Sequence, residues 1–311
     1  MTQTAYLYLT SLIYEPLSHF PTLTMAGLHL PLCRTNLIRS SSSRPPSAYG
    51  RPAAVLVGVT PNLSYWDSIY SDIHSHLKKA IPIRDPISVF EPMHHLTFSP
   101  PKTTASALCV AACEVVGGNR EDAIVAASAI HLMHAAIYIH DHLLLSDRVG
   151  SEPGSEISHR FGSNIELLTG DGIMPFGFEL LAGSVTVAGD NCEKILKVII
   201  EITKAVGAEG MASGGEDDGV EYDRSSGQPS RQLHGCGAAC GAIIGGGTAV
   251  EIERLKRYGV YVGKVQGLLS EKRKSEGAKM ELAEKWRALG MKELECFDCE
   301  KIEQISTLLR V

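Results

Sequence analysis

Apolar residues recur along this chain at intervals of three and four residues, the spacing of one face of an α-helix. The clearest case is the segment 191–206, whose apolar stripe consists of Ile195, Val198, Ile199 and Ile202. Strictly alternating apolar and polar positions, which would indicate a half-buried strand, do not occur beyond residue 64. The pattern therefore predicts an all-α fold.

The same periodicity divides the chain beyond residue 64 into ten predicted helices. They span 65–80, 103–117, 119–140, 157–169, 172–184, 191–206, 233–247, 249–271, 276–289 and 298–309. Glycine clusters at 117–118 and 245–247 end two of these helices, as helix stop signals do. The stretch 207–232 is rich in glycine, aspartate and serine, and it predicts a loop.

The first sixty residues differ in composition from the rest. They contain one acidic residue, Glu15, several arginines and a serine run at 40–43, and Pro45-Pro46 prevents a continuous helix. Acid-poor N-termini with arginine and serine are typical of organelle transit peptides. We therefore expect residues 1–60 to be a disordered targeting segment and residues 61–311 to form one helical domain. An N-terminus that is disordered without being a targeting signal is the alternative.

Composition excludes several classes of function. The 311 residues are 44% hydrophobic, as in a globular protein with a real core, and the net charge of −6 comes with scattered basic residues. We therefore expect no nucleic-acid partner. No uninterrupted apolar stretch reaches the roughly 18 residues that span a bilayer, so we expect no transmembrane segment. The eight cysteines form no framework of the secreted type and indicate mostly reduced thiols.

Two cysteine pairs, Cys109/Cys113 and Cys236/Cys240, share the spacing Cys-x-x-x-Cys within runs of alanine and glycine. On a helix both sulfurs of such a pair face the same way, and the small neighbours let another helix approach closely. The spacing is not that of redox motifs, and the further ligands of a compact zinc site are missing. Burial in an ordinary core is one interpretation. The repetition in two similar helices favours a helix-packing or subunit surface.

Histidines and aspartates cluster at the end of the long apolar helix 119–140. The cluster consists of His131, His134, His140, Asp141, His142 and Asp147. A transition-metal site is one interpretation, although His140 and His142 are two positions apart and point apart on a helix. A Mg²⁺-diphosphate site is the other, since carboxylates hold metal ions that bind phosphate oxygens. Only two carboxylates, Asp141 and Asp147, are available for it here.

The run from Phe90 to Asp147 resembles the trans-prenyl diphosphate synthase family, and within it the small subunits of plant heteromeric geranyl and geranylgeranyl diphosphate synthases. The resemblance continues through 159–162, 168–172, 175–184 and 236–247. It implies an isoprenoid-synthase-type helical bundle, located in the plastid. It also implies that four cysteines contact a catalytic large subunit of geranylgeranyl diphosphate synthase, namely Cys109, Cys113, Cys236 and Cys240.

The sequence departs from the catalytic members of that family at the acidic motifs. Their Asp-Asp-x-x-x-x-Asp motif falls here on Asp141, His142 and Asp147, so the middle acid is lost, and the two arginines that follow it are absent. The second acidic motif, expected near residue 270, retains only Glu271. By resemblance, Lys102 and His134 are the remaining diphosphate contacts, while Asp141 and Asp147 form a degenerate metal site.

These losses matter because ionising an allylic diphosphate needs metal ions and cationic side chains around the departing group. The resemblance therefore implies a regulatory small subunit, inactive or weakly active alone, whose partner binds the Mg²⁺ and makes a product shifted toward geranyl diphosphate. One alternative is an independent Mg²⁺-dependent short-chain synthase that uses Asp141, Asp147 and Glu271. Another is a damaged copy without function, since 207–232 lacks the family's Lys-Thr pair.

Overall fold

A computed structural model describes residues 63–143, 160–185, 191–208, 210, 228–270 and 276–310. Within these ranges the regular structure is helical and contains no strand, which confirms the all-α prediction. The helices are α1 (Leu63–Ala80), α2 (Ile87–Phe98), α3 (Thr104–Val115), α4 (Arg120–Asp141), α5 (Ser163–Gly183), α6 (Asn191–Val206), α7 (Gln228–Gly245), α8 (Ala249–Ser270), α9 (Glu276–Leu294) and α10 (Cys299–Arg310). The predicted targeting segment and Asp147 lie outside the described residues.

Helix α4 forms the centre of the bundle, because α1, α3, α5 and α7 all pack against it. Its length and composition would allow it to cross a bilayer, which the sequence analysis did not anticipate. However, 78% of its most apolar 18-residue window is buried inside the protein. This burial is that of a core helix, and it explains why α4 is apolar on every side rather than along one stripe.

The outer helices show the expected one-sided pattern. On α6 the predicted stripe is buried at Ile195, Val198 and Ile202, whereas Leu196 and Ile200 face outward. This amphipathic arrangement places α6 on the surface of the bundle, where it packs on α7.

Two helices of the structure differ from the predicted ones, and each contains a proline. Helix α2 was not predicted, and it accommodates Pro92 in its interior, where a proline ordinarily breaks a helix. Residues 163–183 form one helix, where two had been predicted with a break at 170–171, and Pro175 lies inside it. Helix α5 continues through this proline because Ile173, Gly177 and Leu181 are buried along the side that packs on α4.

Helix α7 also begins earlier than predicted, at Gln228, within the stretch predicted as a loop. Most of that stretch, 211–227, lies outside the described residues.

Candidate functional site

Lys102 and His134, the two predicted diphosphate contacts, are both found at one loop. Lys102 lies in this loop, next to Thr103, whose hydroxyl caps α3 by accepting from the Ala105 N–H at 3.2 Å. His134 on α4 reaches the same loop, with Nε2 3.2 Å from the carbonyl oxygen of Pro101. The structure therefore brings both predicted residues to the loop before α3.

The positive charge at this loop is small. Lys102 Nζ lies 3.3 Å from Asp67 Oδ1 in an exposed ion pair, which contributes about 0–1 kcal/mol. Burial lowers the pKa of His134, despite its bond to a carbonyl, so its ring is neutral near pH 7. Burial, followed by the charge of Lys102, lowers the pKa of His74 as well. An incoming anion would therefore meet one cation that an acid already accompanies.

His131 was predicted as part of the same cluster, but it serves the core. Its Nε2–H donates to the carbonyl oxygen of Thr97 at 3.0 Å, and the ring is 3% exposed. Burial lowers its pKa to about 4. It therefore links α4 to α2 as a neutral side chain.

The remnant of the first acidic motif ends α4 without assembling further carboxylates among the described residues. Asp141 is the last residue of the helix and is exposed. His142, at the position of the lost acid, donates from Nδ1 to the Tyr138 carbonyl at 2.8 Å and stacks on the Tyr138 ring. His140 faces α5 instead, with Nε2 3.3 Å from Asp171 Oδ1. The two histidines point apart, so they cannot share one ion.

On α8, where the second acidic motif was expected, an amide and neighbouring side chains form a hydrogen-bond triad. The Thr104 hydroxyl donates to Gln266 Oε1 at 2.7 Å, and His234 Nε2 lies 2.8 Å from the same hydroxyl. Because the triad joins α3, α7 and α8 over more than a hundred residues of sequence, spacing alone did not reveal it.

These residues do not fit a Mg²⁺-diphosphate centre. Magnesium favours octahedral oxygen coordination through carboxylates and phosphate oxygens. Over the described ranges, no group of three or more histidine, cysteine or acidic side chains could hold a metal ion. Asp147 and Glu271, the other predicted acids, lie outside those ranges.

The four cysteines of the paired motifs lie inside the bundle. Each thiol is 0–2% exposed, namely Cys109, Cys113, Cys236 and Cys240. Burial raises the pKa of Cys113 to about 11 and that of Cys109 well above its ordinary value. The pKa of Cys240 is also raised, by its hydrogen bond with Cys236 and by burial. All three are therefore protonated, apolar packing groups, and contact of the thiols with a partner stays a prediction.

The close helix approach expected from the small residues occurs within this chain, between α3 and α7. Three glycines spaced four apart on α7 face three residues spaced four apart on α3: Gly237 faces Ala105, Gly241 faces Cys109, and Gly245 faces Cys113. A methyl group at Gly241 would lie 2.7 Å from the carbonyl carbon of Cys109, closer than any real side chain. We call these six residues the glycine seam. It requires glycine because the two backbones are in contact.

No family model matches this chain, but individual proteins of known sequence do. The chain is 42% identical to the chloroplastic small subunit 2 of heterodimeric geranylgeranyl pyrophosphate synthase from Cannabis sativa, over 79% of this chain and 90% of that protein.

Two solved structures of geranyl diphosphate synthases are also similar to this chain. The geranyl diphosphate synthase small subunit from Antirrhinum majus is 50% identical and superposes with a TM-score of 0.71, over 81% of this chain and all of that one. A mint deletion mutant of heterotetrameric geranyl pyrophosphate synthase, solved with ligands, gives 44% identity and a TM-score of 0.67, over 80% and 99%.

These similarities confirm the isoprenoid-synthase-type fold. The chloroplastic designation of its small-subunit relatives confirms the plastid location. The chain belongs to the small subunits of heteromeric geranyl and geranylgeranyl diphosphate synthases, within the trans-prenyl diphosphate synthase family.

Proposed function

We propose that this chain is a regulatory subunit that binds a catalytic large subunit of geranylgeranyl diphosphate synthase in the plastid. In this complex it shifts the product toward geranyl diphosphate, the precursor of monoterpenes. The similarity to small subunits of heterodimeric and heterotetrameric enzymes supports such a partner.

The observation that carries the proposal is an exposed apolar face. Eight of the eleven exposed large hydrophobic residues among those described lie on α2, its preceding loop, α5 and α6: Ile83, Ile87, Val89, Ile165, Leu167, Leu168, Leu196 and Ile200. Val89, Ile165 and Leu168 line one groove between α2 and α5, and α6, which carries Leu196 and Ile200, packs beside α5. We call these eight residues the apolar face. Extended exposed apolar patches mark protein interaction surfaces.

A groove deepens this face between α2 and α5. It has a volume of about 480 Å³ and is lined mainly by apolar side chains, including Phe90, Met93 and Phe176. Arg84 and Glu179 also line it. A partner helix that inserts apolar side chains would bury this surface, at about 25 cal/mol per Å² removed from water.

The chemistry would belong to the large subunit. Stabilising a departing diphosphate needs metal ions held by several carboxylates. Because the first acidic motif has His142 in place of its middle acid and the second retains only Glu271, we assign the Mg²⁺ to the partner. The loop with Lys102 and His134 retains one cation and one neutral imidazole, too little charge for this task.

Binding then changes the product through a coupling between the interface and the partner's elongation cavity. A small subunit that prefers the form of the large subunit with the shorter cavity would favour that form by its difference in affinity. The four cysteines of the paired motifs serve this association.

The proposal is tested by assaying the purified chain with Mg²⁺, dimethylallyl diphosphate and isopentenyl diphosphate. We expect little turnover by the chain alone, and no rescue by His142→Asp, because the second acidic motif is still missing. Robust product formation by a partner-free preparation would instead support an independent synthase.

A further inference from the structure

Helix α7 contacts α3 through its glycines and α6 through a cysteine thiol, so it lies between the glycine seam and the helix that carries part of the apolar face. Gly237, Gly241 and Gly245 hold α7 directly against α3. On another side of α7, Cys240 Sγ lies 3.9 Å from the carbonyl oxygen of Val198 on α6. Cys236 Sγ lies 3.8 Å from Cys240 Sγ in the same layer.

Helix α6 is a single layer between these thiols and the surface. Its Val198 is fully buried against α7, whereas Leu196 and Ile200, two residues before and after, are 56% and 44% exposed on the apolar face. The thiol contacts the backbone of α6 rather than a side chain that could rotate away. A change in bulk at position 240 must therefore move α6, because protein interiors are close-packed.

We propose that Cys240 is a positioning residue for the apolar face: it sets the distance between α7 and α6, and thereby the position of Leu196 and Ile200. Cys109 and Cys113 lie one layer further in, where their backbone forms part of the glycine seam between α3 and α7. On this inference Cys240 acts through α6 and does not itself touch the partner. The inference rests on the proposed function, since the apolar face matters only if a large subunit binds there.

Thiol labelling separates positioning from direct contact. The full chain is treated with iodoacetamide, alone and bound to a geranylgeranyl diphosphate synthase large subunit, and each cysteine is followed by peptide mass spectrometry. We expect Cys109 and Cys240 to resist labelling in both samples, while the exposed Cys296 and Cys299 react. Cys236 is not a reporter, because it borders a pocket of about 200 Å³. Rapid labelling of Cys240 in the free chain that the partner suppresses would overturn the inference.

A substitution series then measures the effect of bulk. Cys240→Leu overpacks the layer, displaces α6 and should weaken association with the large subunit about tenfold. Cys240→Ser is close to cysteine in size, and a serine hydroxyl within a helix can donate to the carbonyl one turn back, so association should stay within about threefold of wild type. Cys296→Leu makes the same change at an exposed site and should have no effect.

Hydrogen exchange measured in the free chain reports on α6 without the partner. A thiol that only contacted the partner would leave this exchange unchanged when substituted. Cys240→Leu should speed exchange of α6 amides and leave α10 unchanged. If Cys240→Leu does not fold, Cys240→Ala takes its place, with α6 settling inward and association about fivefold weaker.

Weaker association without any change in α6 would overturn the inference, and so would a displaced α6 that binds normally. In both cases the proposed function stands. Failure of the wild-type chain to bind any large subunit would instead contradict the proposed function, and the inference with it.

Discussion

Because of the glycine seam, we expect a glycine-to-alanine substitution to lower the stability of the fold at Gly241 and to raise it at Gly172. At Gly241 an added methyl group would lie 2.7 Å from the Cys109 carbonyl carbon and 3.0 Å from its Cα. Both atoms belong to the backbone, so the conflict is relieved only if α3 and α7 separate. At Gly172, in the interior of α5, an added methyl group meets nothing within 4 Å. Gly172→Ala is therefore the matched control.

The expected change in the free energy of unfolding combines the cost of overpacking with the higher helix propensity of alanine. Overpacking costs roughly 1–3 kcal/mol, and a clash with rigid backbone belongs near the upper end, about 3 kcal/mol. Alanine is better than glycine within a helix by about 1 kcal/mol. We therefore expect Gly241→Ala to lower the free energy of unfolding by about 2 kcal/mol, and Gly172→Ala to raise it by about 1 kcal/mol.

Urea denaturation followed by circular dichroism measures both changes. With a slope of about 3 kcal/mol per molar urea, Gly241→Ala should lower the midpoint by about 0.7 M, and Gly172→Ala should raise it by about 0.3 M. A Gly241→Ala variant as stable as wild type would refute the claim that the backbones of α3 and α7 are in contact.

Three further predictions test other parts of the account. Leu196→Glu should weaken binding to the large subunit more than tenfold in a titration, through lost apolar burial and a buried charge, whereas Val250→Glu, exposed outside the apolar face, should not. His131 has a pKa of about 4 when folded and 6.5 when unfolded, so only the unfolded state takes up a proton as pH falls between these values. Stability should therefore drop by about 2 kcal/mol from pH 7 to pH 5, and urea midpoints should show a smaller drop in His131→Gln. A fusion of residues 1–64 to a fluorescent reporter should enter plastids, and diffuse cytosolic fluorescence would contradict the targeting segment.

The all-α class was predictable from sequence because the apolar stripe of a helix is a pattern among residues that are close together in the chain. Ile195, Val198 and Ile202 recur at helical spacing, and the structure buries all three. Helix α2 was missed, and it accommodates Pro92, although a proline ordinarily breaks a helix. Such a helix is stabilised by packing on α5 and α4, which no local pattern reveals.

The positions of the predicted site residues could not be read from the sequence, and their role as diphosphate contacts stays a prediction. The resemblance indicated Lys102 and His134, and the structure brings both to the loop around Pro101. The spacing of the cysteines suggested close helix packing, and the structure assigns that packing to α3 and α7 of the same chain. Sequence periodicity cannot tell which helix approaches, because the approaching helix is more than a hundred residues away.

The central claim concerns the product that a partner makes. A geranylgeranyl diphosphate synthase large subunit is incubated with Mg²⁺, dimethylallyl diphosphate and isopentenyl diphosphate, without this chain, with it, or with its Leu196→Glu variant. The ratio of geranyl to geranylgeranyl diphosphate is then measured. The account predicts that the wild-type chain raises this ratio and that the variant, at equal concentration, does not. An unchanged ratio in a co-purified complex would contradict the account.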